Sequence, residues 1–320
     1  MADLIDGRGD RAQILIVSAF ALGVLFVALA LILNSAIFTE NLASRGETTG
    51  GENVLQYQDA IQRGVGNVVT YENENVTDDS TDYGTIVDRV ALGTTDLAAV
   101  LTRRGAKRGA TSGVTGLSFT NGTLIRQTDG GTFQDNDSRA DWTLAEDVDH
   151  TRRFRFNVSR SKLNASACSR FNSCFTVNVT DGYDWRVSIN DESAGIVVAV
   201  KNDTDPAAEC APVDRAHAVV DLTAGTVNGT DCPALNFSDA PDEDYDIEYY
   251  QSGKIGGNYT AVVDKESIVS DKEDGYFYDT ANGSPVATRA VYGSNVTYLY
   301  QSATVNMTGT VRVAPGESDD

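Results

Sequence analysis

The residues best suited to chemistry are asparagines. From Asn75 onward, thirteen of fifteen asparagines stand in Asn-x-Ser/Thr with no Pro in the middle, whereas none of the five earlier ones does. In this tripeptide the side-chain amide is the acceptor for N-linked glycan, which places the carrier on the outside of a cell. The acceptors are Asn75, Asn121, Asn136, Asn157, Asn164, Asn178, Asn202, Asn228, Asn236, Asn258, Asn282, Asn295 and Asn306. Ser plus Thr make up 53 of 320 residues, so twenty asparagines placed at random would give roughly three such sites. Turn chemistry competes at Asn121, Asn228 and Asn282, each followed by Gly, the preferred pair for a two-residue hairpin.

Four cysteines, Cys168, Cys174, Cys210 and Cys232, lie in the same acceptor-rich part, as expected of an oxidising compartment. Three connectivities are open. Neighbour pairing, Cys168 to Cys174 and Cys210 to Cys232, closes the shortest loops and would contribute roughly 2.4 and 3.4 kcal/mol in the chain-entropy model. No Cys-x-x-Cys occurs and only His150 and His217 exist to assist, which argues against zinc. Neither histidine sits in a hydrolase setting, and no Gly-x-Ser-x-Gly, P-loop or dinucleotide fingerprint is present. Asp242, Asp244 and Asp246 lack the Gly and terminal Glu of a calcium loop and read as a solvated turn. The expectation is a noncatalytic chain with no cofactor, no metal and no catalytic residue.

These acceptors need strands and turns to present them. Residues i and i+2 of a strand share a face, so the Asn and its hydroxyl partner point the same way. In Phe154–Ser159, Arg155, Asn157 and Ser159 take the wet face opposite Phe154, Phe156 and Val158. Phe175–Thr180 repeats the pattern with Asn178 outward, and Val305–Val313 repeats it with Asn306, Thr308 and Thr310 opposite Val305, Met307 and Val311. Trp185, Val187 and Ile189 face away from Arg186 and Ser188, and Gly195–Val200 reads as a buried strand. From residue 111 to 320 the chain is therefore an antiparallel β-rich, sandwich-like region, either one large sandwich or two small ones.

Residues 53–110 read as helical. Val54, Tyr57, Ile61, Val65, Val68 and Val69 recur at helical spacing, as do Ile86, Val90, Leu97, Val100 and Leu101, with Glu72–Asp82 as the exposed loop between. The second stretch ends in Arg103, Arg104, Lys107 and Arg108, four cations in a chain of formal charge -21. They suit a helix C-terminus electrostatically, and they form a possible patch for an anionic lipid surface or an acidic neighbouring subunit. The overall charge, 33 Asp and 13 Glu against 19 Arg and 6 Lys, excludes a nucleic-acid binder and suits an acidic surface in molar salt.

Gln13–Thr39 is 27 residues without a charge, and Ile14–Leu33 alone would span about 30 Å as a helix, the thickness of a bilayer core. This predicts one transmembrane helix with the N-terminus cytoplasmic and the acceptor-bearing part extracellular. Residues 40–52, with Gly46–Glu52 free of apolar side chains, read as a hinge between anchor and body. The whole chain is thus α+β: an N-terminal transmembrane helix, a short helical region, then an extracellular antiparallel β domain.

Arg11-Ala12-Gln13-Ile14, running straight into the apolar segment, resembles the class III signal of archaeal prepilins. The stretch Arg11–Arg45, including Ile32–Leu42, is similar to the start of type IV pilin-like surface proteins of halophilic archaea, and Val311–Glu317 resembles their end. The resemblance implies cleavage between Ala12 and Gln13 by a prepilin peptidase, a leader of residues 1–12, and membrane or pilin-like subunits as partners. Val17 stands at the fifth mature position, where bacterial pilins usually carry Glu, so subunit register by that Glu is not implied. A plain, uncut signal anchor bearing a β domain that binds a partner, a sugar or a surface lattice is the alternative.

Overall fold

The computed structural model describes residues 51–78, 80–163, 168–182, 184–203, 206–240, 244–269 and 275–317, together with Phe26, which is helical. The leader, the rest of the segment 13–39 and the hinge up to residue 50 lie outside the described residues. Among the described residues no helix is long and apolar enough to cross a membrane.

From residue 51 the described residues open with two helices, α1 (51–74) and α2 (Tyr83–Ala106). Gly51 and Glu52, assigned to the hinge from sequence, belong to α1 instead. Apolar residues every third or fourth position bury one face of α1: Val54, Tyr57, Ile61, Val65 and Val69 are all buried. Asp82 caps α2, accepting from the Thr85 backbone N–H at 2.8 Å and filling one of the donors a helix start leaves open. The helices run antiparallel and touch closely. A Cβ on Gly64 would lie 2.4 Å from Leu97 Cδ2, and one on Gly93 would lie 2.7 Å from Val68 Cγ1, so a larger residue at either crossing would force the facing side chain to move.

Among the described residues fourteen strands follow in two sheets, with every neighbouring pair antiparallel. They are β1 (Thr111–Gln127), β2 (Trp142–Val148), β3 (Thr151–Ser159), β4 (Phe175–Thr180), β5 (Asp184–Glu192), β6 (Gly195–Asn202), β7 (Ala208–Glu209), β8 (His217–Asp221), β9 (Thr226–Val227), β10 (Thr230–Asp231), β11 (Tyr245–Tyr250), β12 (Gly257–Val263), β13 (Val286–Gln301) and β14 (Asn306–Val313). The eight-stranded sheet has the order β10-β9-β8-β3-β12-β1-β13-β14, and the six-stranded sheet the order β2-β11-β4-β5-β6-β7.

One apolar cluster joins both sheets, which makes the body sandwich-like. Phe154, Phe156, Val158 and Tyr259 come from one sheet; Phe175, Val177, Trp185 and Tyr249 come from the other. Phe133, in the connection from β1 to β2, sits among their rings, with centroids 5.0 Å from Tyr259 and 5.6 Å from Phe175. Each large side chain so buried contributes about 1.5–3 kcal/mol. A second cluster packs α1 and α2 against the far part of the long strands, through Val291, Val296, Tyr298 and Tyr300 of β13 and Val311 and Val313 of β14.

Alternation is obeyed in β3, where Phe154, Phe156 and Val158 are buried and Arg155 and Asn157 exposed. In β4 it fails: five of six residues are buried, Asn178 included at 4 % exposure. This strand has a neighbour on each side, and the long polar side chains of β11 and β5 close over its second face. For the same reason Ser188 in β5 is buried, its hydroxyl donating to the Phe175 carbonyl at 3.1 Å. Gly195–Val200 is buried throughout, as its apolar run implied. Met307 departs the other way. The start of β14 is covered on neither face, leaving Met307 exposed while Val311 and Val313 are buried.

The helical region also differs in detail. Val100 is 59 % exposed and lies off the buried stripe, which Ile86, Val90 and Thr94 form instead. Glu72–Glu74 belong to α1 rather than to the loop, and Asn73 is buried. Its amide acts as a surrogate strand: Nδ2 donates to the Val291 carbonyl at 2.8 Å and Oδ1 accepts from the Val291 N–H at 2.9 Å.

Candidate functional site

Twelve of the thirteen acceptor asparagines fall on described residues; Asn164 lies outside them. Nine are exposed: Asn75, Asn136, Asn157, Asn228, Asn236, Asn258, Asn282, Asn295 and Asn306. Asn121 and Asn202 are half-buried, and only Asn178 is fully inside. Glycan transfer needs a free amide nitrogen as well as exposure. Among the described residues, the Nδ2 groups of Asn136, Asn157, Asn228, Asn258, Asn295 and Asn306 make no hydrogen bond. Asn228 and Asn258 hold themselves by the other end: Oδ1 accepts from Val219 N–H at 2.9 Å and from Gly130 N–H at 2.9 Å, respectively. By contrast Asn178 Nδ2 is held at 3.1 Å from Glu248 Oε2 and 3.4 Å from Asp184 Oδ1.

The three Asn-Gly pairs do different things. Asn228 and Gly229 both have positive φ, 52° and 73°, and join β9 to β10 as the tight hairpin predicted for that pair. Asn282 lies in a turn closed by its own N–H donating to the Asp279 carbonyl. Asn121 is no turn: it stands inside β1 at a register shift between Thr120 and Asn121, and its Nδ2 donates to Glu266 at 3.0 Å. The competing backbone demand there is close approach. A Cβ on Gly122 would lie 2.2 Å from the Val263 carbonyl oxygen, so the glycine serves strand packing rather than chain reversal.

Folding also pairs acceptors that are distant in sequence. Asn157 of β3 and Asn258 of β12 are direct register partners. Cβ atoms at such positions stand about 4.5–5.5 Å apart, so two glycans would rise side by side from the middle of the eight-stranded sheet.

Both disulfides are neighbour pairs, Cys168–Cys174 and Cys210–Cys232, and no described cysteine is free. Cys168–Cys174 closes the segment entering β4. Cys210 follows β7, the end strand of one sheet, and Cys232 follows β10, the end strand of the other. This bond therefore staples the two sheets at one side, where the core has least strand cover. Both sulfurs belong to buried residues of the shared cluster.

The four cations Arg103, Arg104, Lys107 and Arg108 are all exposed at the end of α2. None has a carboxylate within ion-pair distance among the described residues. Arg104 and Arg108, but not Arg103 or Lys107, line a cleft of about 240 Å³ between the two helices, opposite Asn53, Tyr57, Asp59 and Arg63 of α1. Arg63 is the exception in this group, paired with Asp59 one turn before it.

The histidines are in separate places. His217 is exposed at the start of β8. His150, in the turn from β2 to β3, has Nδ1 3.0 Å from Asp264 Oδ2, and Asp264 Oδ1 also accepts from the His150 N–H at 2.9 Å. His150 bonds to no hydroxyl or thiol among the described residues. Nearby, the Tyr292 hydroxyl donates to Glu317 at 2.6 Å, and Arg312 pairs with the same carboxylate. Burial pushes the Glu317 carboxyl up, but the bonds from Arg312 and Tyr292 outweigh it and hold its pKa below the usual value. Burial and the same carboxylate push the Tyr292 phenol up. Asp264 lies 114 residues from His150, and Glu317 lies 25 from Tyr292 and 5 from Arg312; no recognised motif marks either. Asp242 lies outside the described residues; Asp246 accepts from the Asp147 N–H at 2.9 Å. Among the described residues no three His, Cys, Asp or Glu side chains stand together as metal ligands.

Comparison with known protein families, with characterised proteins and with solved structures finds no match for this chain.

Proposed function

We propose that this chain is a single-span cell-surface glycoprotein acting as a structural or minor, adhesive subunit of a type IV pilus-like assembly. Its segment 13–39 would pack as an apolar rod in a filament core or membrane-bound platform, and the β body would be displayed outward. The observation carrying this reading is the exposure of nine acceptor asparagines on a body closed by two disulfides. Sequence enrichment alone leaves Asn/Ser/Thr richness as an explanation; exposed acceptors spread over strands and turns, six of them with Nδ2 unbonded among the described residues, favour a glycan coat. The net charge of -21 suits a surface kept hydrated in molar salt, where screening acts within about 3 Å. The work proposed is display and contact. No cofactor, nucleic acid or catalytic step enters it.

Mass spectrometry of the protein from its native membrane tests the reading. The expected result is an N-terminus at Gln13, glycan on exposed acceptors and no free thiol, with an Arg11→Leu variant retaining residues 1–12. Bare asparagines with an intact Met1 overturn it. Glycan with an uncut N-terminus transfers the reading to a monomeric, membrane-anchored binding glycoprotein.

A further inference from the structure

The body is strongly acidic, yet four exposed cations without a carboxylate partner among the described residues cluster within residues 103–108, and the topology fixes which end of the helical hairpin that is. α1 and α2 are antiparallel, as the close pairs Gly64 with Leu97 and Gly93 with Val68 require. The end of α2 therefore stands beside the start of α1, and Asn53 and Arg104 line one cleft. The apolar segment ends at Thr39, so only residues 40–50 separate it from the described start of α1. Eleven residues reach at most about 39 Å even when fully extended, and less in any folded form.

We propose that Arg103, Arg104, Lys107 and Arg108 form a membrane-contacting foot that binds anionic lipid headgroups on the extracellular leaflet. The inference rests on the anchor reading above and adds a lipid class and an orientation to it. Headgroup phosphate is the ligand that this surface fits: guanidinium groups offer paired N–H donors matched to phosphate oxygens, and the cleft between the helices gives Arg104 and Arg108 a shared approach. These side chains have no carboxylate partners among the described residues to give up on binding. At low salt the rest of the body, with its excess of Asp and Glu, is repelled by the same leaflet, so attraction and repulsion together select one orientation. Contact pairing of this kind persists in concentrated salt better than long-range steering, which screening removes.

The test uses the full chain reconstituted into vesicles of phosphatidylcholine, with or without a third of phosphatidylglycerol. With the native cysteines paired, Ala106→Cys supplies a single thiol on the exposed last turn of α2 for a nitroxide. Flotation with the vesicles after alkaline carbonate reports the anchor, and relaxation by lipid-soluble and water-soluble agents reports the depth of the label. The expected result is a label at headgroup level in the anionic vesicles and in water in the neutral ones. Replacing Arg103, Arg104, Lys107 and Arg108 by Glu should return the label to water, with docking weakened roughly fivefold per cation lost at low salt. Failure to float overturns the anchor and the foot together. Flotation with the label in water in both lipids, or at the same depth in both, overturns the foot alone, and the lipid comparison needs no variant of the four cations.

Discussion

Asn178 should stay bare while Asn157 carries glycan, although both sit in perfect acceptor tripeptides on β-strands. Asn157 is exposed, with its Nδ2 unbonded among the described residues. Asn178 is 4 % exposed, on a strand flanked on both sides, with Nδ2 directed at Glu248 and Asp184. Freeing it requires lifting β4 from between β5 and β11, an opening that approaches global unfolding in cost. For even the lower limit of domain stability, about 5 kcal/mol, only about one molecule in 5,000 would present the amide at any moment. Attachment before folding meets the same obstacle in reverse, because the sugar would occupy the space of Glu248 and Asp184 and leave buried polar groups unpaired at about 1–3 kcal/mol each. Glycopeptide mapping of the disulfide-intact protein measures occupancy at both sites. Asn157→Gln should remove one glycan mass and leave stability nearly unchanged, whereas Asn178→Gln should remove no mass and lower stability by about 1–3 kcal/mol. Equal occupancy of the two sites in folded protein would refute the argument.

Three further outcomes follow from other parts of the fold. Asn73→Leu leaves a buried N–H and C=O of Val291 unpaired and should cost about 2–5 kcal/mol in urea unfolding, the helical hairpin losing hydrogen-exchange protection first. Removing Cys210–Cys232 by double Ala substitution should cost roughly 3.4 kcal/mol and removing Cys168–Cys174 roughly 2.4, so calorimetry should rank the 22-residue closure above the 6-residue one. Glu317 has a lowered pKa in the folded chain, so its stabilising share is complete above the ordinary carboxylate value and is lost as pH falls through the lower, folded one. Glu317→Gln should flatten that acid limb in a series of thermal melts from neutral to low pH; an unchanged slope would remove Glu317 from the account.

Local pattern went far with this chain because it reports what a residue needs, if not what it meets. Apolar residues at helical spacing marked α1 and much of α2, and alternation marked the buried side of β3. The shortest loops marked both disulfides, since closure entropy depends on sequence separation alone. The acceptor tripeptides, the charge and the apolar segment at 13–39 are likewise properties of composition and order. Other features depended on which segments became neighbours. Asn178 obeys the alternation of an outward residue and is buried because β11 and β5 bring Glu248, Asp184 and Arg186 around it. Asn121-Gly122 has the sequence of a turn and lies in a strand because the backbone of β12 passes too close for any side chain. Asn73 reads as loop and becomes a bridge to Val291, 218 residues away. Asn157 and Asn258, and the two ends of the helical hairpin, meet by the same long-range closure. A two- or four-residue period records whether one side of an element prefers water; the identity of what covers the other side is set by sheet order and helix packing, which no local window contains.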